Sequence, residues 1–142
     1  MTTLSYRERS SKVWRVDNYI YKSQPKFLMD NEVWCMERML KYGHVPEFER
    51  LNLELLRMDF IERESVTDMD LFVSNSVKFL RRLQIEGIRH GDLTMPHVFP
   101  TNNDVIVIDW EESRLWDEPR PSKREEGDAH WMKETVKQII RE

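Results

Sequence analysis

Two short runs near the start of the chain, Lys12-Val13-Trp14-Arg15-Val16 and Tyr19-Ile20-Tyr21-Lys22, are separated only by Asp17-Asn18. That spacing is the strongest constraint on the fold. A two-residue connection leaves no room for a crossover, so the runs must pair as antiparallel strands through a tight turn. Leu4-Ser5-Tyr6, ahead of the polar Arg7-Glu8-Arg9-Ser10-Ser11 turn, reads as a further strand of the same meander. The alternation of Val13, Arg15, Tyr19 and Tyr21 against their neighbours gives the small sheet one buried face.

Helical signals follow. After Pro25, Asp30 is positioned to cap a helix from Asn31 to about Tyr42, with Val33, Met36, Met39 and Leu40 at helical spacing and Gly43 as its stop. Phe48 to Ile61 holds two apolar runs, Leu51 to Leu56 and Met58 to Ile61, which suit either strands or a connector between two halves. Asp68 or Asp70 caps a second helix, carrying Leu71, Phe72, Val73, Val77, Phe79, Leu80 and Leu83 and ending at Gly87. Asn102-Asn103-Asp104 is a hairpin-type turn that feeds Val105-Ile106-Val107-Ile108, a buried β-branched strand ending in Asp109-Trp110. Asp117 to Gly127 reads as loop. A last helix begins at Asp128 with Trp131, Met132, Val136, Ile139 and Ile140 on its apolar side. The expectation is an α+β chain, and 142 residues fit one domain on a scale of about 150 residues each.

Composition excludes several classes. The chain is 39% hydrophobic and 11% aromatic, enough for a real core. No apolar run approaches the roughly 18 residues of a membrane span, and the N-terminus lacks the apolar stretch of a signal peptide. A soluble, cytoplasmic protein is expected. Cys35 is the single cysteine, so neither an internal disulfide nor a thiolate metal cluster can form. A net charge of −4 argues against general affinity for nucleic acid or anionic membranes.

The pattern that carries chemistry is His90-Gly91-Asp92-Leu93, just after a helix, with Asp109 at the end of a strand 17 residues later. Phosphoryl transfer from ATP needs one carboxylate to orient the attacking hydroxyl and another to hold Mg²⁺ against the phosphates. Asp92 and Asp109 suit those two jobs. A metal-dependent nuclease also pairs aspartates, but it leaves the His-Gly-Asp context unexplained.

His-Gly-Asp followed by Ile108-Asp109-Trp110 resembles the aminoglycoside phosphotransferase, lipopolysaccharide kinase and RIO-kinase branches of the protein-kinase-like superfamily. The resemblance implies a minimal two-lobed fold, with residues to about 62 forming the sheet lobe and hinge and residues from about 63 a reduced, mainly helical lobe. It makes Lys22 the grip on the ATP phosphates and Glu32 its orienting partner, although the sequence alone allows that pair to be a plain surface ion pair. Ser10 and Ser11 match the turn that covers the phosphates. His90 becomes a structural residue under the catalytic loop, and Asp128 the anchor of that loop's backbone. The acceptor is a hydroxyl, on a protein or on a small molecule.

Three departures qualify the match. Residues 1–22 contain no glycine. His97 stands five residues after Asp92, where the family has a metal-binding Asn; as a metal neighbour it would weaken a second Mg²⁺ site or favour Mn²⁺. Little chain follows Asp109, which points to a substrate site completed by a partner or a second copy. The competing expectation is an inactive pseudokinase that regulates by binding nucleotide or protein.

Overall fold

The computed structural model describes residues 12–110, 114–115 and 127–141. The strand at Leu4-Ser5-Tyr6, the Ser10-Ser11 turn and the loop from Asp117 lie outside the described residues.

Strands β1 (Lys12–Val16) and β2 (Tyr19–Ser23) pair antiparallel, with Val16 opposite Tyr19 and Val13 opposite Lys22. Asp17 takes a φ of 53° in their turn, a conformation that Asp tolerates better than most residues. The alternation left open which face turns inward, and the structure turns Lys22 in. Lys22 is completely buried while Tyr19 is 40% exposed. Tyr21 stacks on Trp14 with ring centres 5.9 Å apart, and the Arg57 guanidinium lies 4.7 Å over Tyr19. Aromatic and cation–π contacts thus occupy the outer face, leaving the inner face to Ile20 and Lys22.

Helix α1 (Lys26–Leu40) begins earlier than Asp30 suggests. Pro25, extended at ψ 149°, turns the chain into the helix, and Leu28 and Met29 both donate to its carbonyl. Asp30 therefore lies inside the helix, bonded to Lys26 at 2.6 Å and Arg50 at 2.7 Å. Gly43, at φ 76°, donates to Leu40 O and closes the C-terminal turn. The undecided stretch is a hairpin, β3 (Phe48–Asn52) and β4 (Leu55–Asp59), and β4 inserts beside β2 to give the sheet order β1-β2-β4-β3. Leu56 pairs with Lys22 and Met58 with Ile20, and the buried Leu56 and Met58 join the core with Met29, Val33 and Met36 of α1.

Helix α2 (Met69–Glu86) has both foreseen signals: the Asp68 carboxylate accepts the Leu71 amide at 3.0 Å, and Gly87 ends it at φ 70°. The two-residue strand β5 (Ile88–Arg89) leads into the His90–Leu93 loop. After a 3₁₀ turn at Met95–His97 comes the hairpin β6 (Val98–Thr101) and β7 (Asp104–Val107). Its turn residues Asn102 and Asn103 have φ values of 49° and 63°, the left-handed pair that a two-residue hairpin needs. Strand β8 (Arg114–Leu115) pairs with β5, and helix α3 (Gly127–Arg141) buries Met132, Val136 and Ile139. The architecture is α+β: a small antiparallel sheet and α1, followed by a part dominated by α2 and α3. One buried apolar cluster includes Met36, Phe72, Phe79, Trp110 and Met132 and so joins both parts. No helix among the described residues is long and apolar enough to cross a membrane.

Candidate functional site

The inward side of β2 brings Lys22 between two carboxylates from distant parts of the chain. Its Nζ lies 2.9 Å from Glu32 Oε1 of α1 and 3.0 Å from Asp109 Oδ1 just beyond β7. Lys22 and Glu32 are both fully buried, so this is no surface ion pair. A buried charge is tolerable only when its partners replace water. Glu32 meets that condition with two more donors: Gln24 Nε2–H at 2.7 Å on Oε1, and the Trp110 amide at 2.9 Å on Oε2. Glu32 thereby ties α1 both to β2 and to the segment that carries Asp109.

Asp109 has a φ of 62°, unusual for a residue other than glycine, asparagine or aspartate, and held by its neighbours. Trp110 is fully buried; its indole N–H donates to Val107 O at 2.9 Å, and its ring packs edge-on against His90 with centres 4.6 Å apart.

The His90–Leu93 loop is fastened from below. His90 Nε2–H donates to Ile108 O at 2.9 Å while Nδ1 accepts the Asp92 amide at 3.0 Å, so the ring is needed in its neutral form. Burial pushes its pKa down, in agreement. The two carboxylate oxygens of Asp128 accept the amides of His90 at 2.7 Å and Gly91 at 2.9 Å. Thr135, also on α3, donates to Leu93 O at 2.7 Å. Helix α3 therefore grips the loop at both ends.

His97 joins the two aspartates. Its Nε2–H donates to Asp109 Oδ2 at 2.7 Å, and its Nδ1–H donates to Asp92 O at 2.9 Å, with Asp92 Oδ2 at 3.4 Å. Burial disfavours the cation, but the Asp109 hydrogen bond and charge outweigh it and push the His97 pKa up to about 9. The same contact and the charge of Lys22 overcome the burial of Asp109 and hold its carboxyl well below the usual range. In this arrangement both His97 ring nitrogens are engaged as donors. Among the described residues, no group of three or more His, Cys, Asp or Glu side chains is arranged to hold a metal ion by itself. Asp92 and Asp109 keep 25% and 30% exposure, so the two carboxylates are reachable from solvent.

Lys22, Glu32, Asp92, His97 and Asp109, read separately from the sequence, thus converge in one place, with His90 and Asp128 beneath. Ser10 and Ser11 lie outside the described residues. Two contributors escaped the sequence reading. Gln24 follows Lys22 by two residues, the spacing that shares a strand face, and Thr135 follows Asp128 by two helical turns. Comparison with protein-family models and with curated proteins gives no match for this chain.

Proposed function

We propose that this chain is a minimal two-lobed kinase-like phosphotransferase that moves the γ-phosphoryl group of ATP to a hydroxyl acceptor. The observation that carries the proposal is the buried Lys22, held between Glu32 and Asp109. A strand lysine held between two carboxylates at that depth, beside the Asp92 loop, suits the recognition of polyphosphate better than it suits stability alone. The sheet and α1 form the upper lobe, and α2, α3 and the loops between them the lower. Lys22 holds the phosphates, and Glu32 keeps Lys22 pointed at them. Asp92 orients the acceptor hydroxyl and takes its proton.

The donor set fits a nucleotide-bound Mg²⁺. Such an ion needs only one or two protein carboxylates with phosphate oxygens and water completing its shell. Asp109 would hold it, and the ion would neutralise charge developing on the transferred group. His97 would serve as a ligand, for Mn²⁺ more readily than Mg²⁺, only after giving up its proton and its bond to Asp109. The acceptor is a protein or small-molecule hydroxyl.

The His97–Asp109 bond supports a second reading, in which the chain binds nucleotide but acts as a regulatory pseudokinase. Single-turnover assays with labelled ATP and Mg²⁺ or Mn²⁺ separate the two. Asp92→Asn should lower transfer by about 10²–10⁴-fold while ATP still raises the melting temperature. Wild-type chain that binds ATP and transfers nothing with either metal leaves the regulatory reading. Absence of any thermal shift at millimolar ATP removes both.

A further inference from the structure

Away from that site, the surface between α2 and α3 is apolar where two packed helices would ordinarily be covered. Val73, Val77 and Leu80 of α2 face Met132, Val136 and Ile140 of α3 across a groove of about 410 Å³. Val73 and Val77 are each 42% exposed. On both helices these residues recur every three or four positions; Met132 and Val136 are buried, so the accessible apolar surface is chiefly Val73 and Val77 of α2, with Leu80 and Ile140 half-buried beside them. An exposed apolar stripe at that spacing is a surface against which an amphipathic helix packs.

The charge around the groove narrows the occupant. Its lining includes Lys133 and Lys137 and, among the described residues, no carboxylate. Lys137 has Glu134 one turn away on its own helix at 3.5 Å, an exposed pair of little strength. The groove continues past Val77, Leu80 and Ala129 to Arg81, where Asp128, the carboxylate among the described lining residues, is committed to the amides of His90 and Gly91. Among the described residues, Arg81, Lys133 and Lys137 thus set a cationic lining along the groove. A second copy docking face to face would bring Lys133 and Lys137 against their own equivalents.

We infer that the α2–α3 groove is a docking site for an acidic amphipathic helix of another protein, its apolar stripe on Val77 and Leu80 and its carboxylates on Lys133 and Lys137. This inference is independent of the phosphotransferase reading. The test uses the full chain and a labelled helical peptide with leucines at three- and four-residue spacing and glutamates beside them. A control peptide has lysine at every glutamate. By fluorescence anisotropy at low salt, the glutamate peptide should bind at least about tenfold more tightly than the control, a difference of about 1.4 kcal/mol. Val77→Asp should abolish binding of both. The double variant Lys133→Glu/Lys137→Glu, at exposed positions where folding is undisturbed, should reverse the preference between peptides. Equal binding of the two peptides, no binding of either, or a wild-type dimer that Val77→Asp dissociates would each overturn the inference, the last by showing a second copy as the occupant.

Discussion

Lys22 has no solvent exposure, and its ammonium group exchanges water for Glu32 Oε1 and Asp109 Oδ1. The arrangement is sensitive to loss of either sign of charge. Lys22→Met should cost about 3 kcal/mol in urea unfolding, because it leaves the fully buried Glu32 carboxylate without its cation. Adding Glu32→Gln to that variant should recover part of the loss by removing that stranded charge, whereas independent effects would simply add. A Lys22→Met cost below about 1 kcal/mol would mean that the pair behaves as a surface contact. The order of Lys22 and Glu32 was legible in the sequence, but their burial was not. A strand reads the same whichever face turns inward, and here Trp14 and Arg57 hold the tyrosines outside. His97 shows the same limit. Its position after Asp92 was visible, yet its hydrogen bonds to both aspartate residues depend on the 3₁₀ turn and on the left-handed Asp109.

Among the elements, α2 was the most legible because its stop and start signals are local. Asp68 accepts an amide three residues on, and Gly87 supplies the left-handed residue that ends the helix. A Cβ added at Gly87 would meet nothing within 4 Å, so Gly87→Ala tests backbone conformation without steric conflict. It should cost about 1 kcal/mol by thermal or chemical unfolding, with Gly87→Asn costing less. Equal stability of the wild-type and Gly87→Ala proteins would show that the helix terminus has relaxed. The hairpin of β3 and β4 lacks such punctuation: five-residue strands have few periods, and β4 gains its place from pairing with β2 on one side and β3 on the other. Strand β6 is hidden by Pro100, which cannot donate to a ladder and usually argues against a strand. The start of α1 differs from expectation because Asp30 has the chemistry of a cap, while Pro25 has already set the entry.

At the scale of the whole molecule, three histidines set opposing pH dependences. His44 carries no signal in the sequence, yet it is buried where the chain leaves α1: Nδ1–H donates to Val105 O at 2.9 Å, and Nε2 accepts from Arg82 at 2.8 Å. Burial lowers the pKa of His44 and of His90 from the usual 6.5, so the folded chain binds fewer protons there than the unfolded chain. Their contribution to stability is present above pH 6.5 and is lost as pH falls. His97 has the opposite sign. With its pKa raised to about 9, its contribution is full below pH 6.5 and is lost as pH rises through 9. Melting temperature should therefore peak near neutral pH, and His97→Asn should flatten the alkaline side between pH 6.5 and 9. A wild-type melting temperature that is level across that range would contradict the His97–Asp109 geometry. By itself the sequence determined the α+β order, the Gly87 end of α2 and the Asn102-Asn103 hairpin, because each depends on chemistry within a few positions, whereas Lys22, Glu32 and Asp128 were singled out only through a family resemblance. Only the tertiary structure decided that Lys22 is buried, that His97 spans Asp92 and Asp109, and that α3 holds the His90–Leu93 loop. Those outcomes depend on which surfaces exclude water from one another, and residues 87 positions apart, such as Lys22 and Asp109, meet only after the chain has folded.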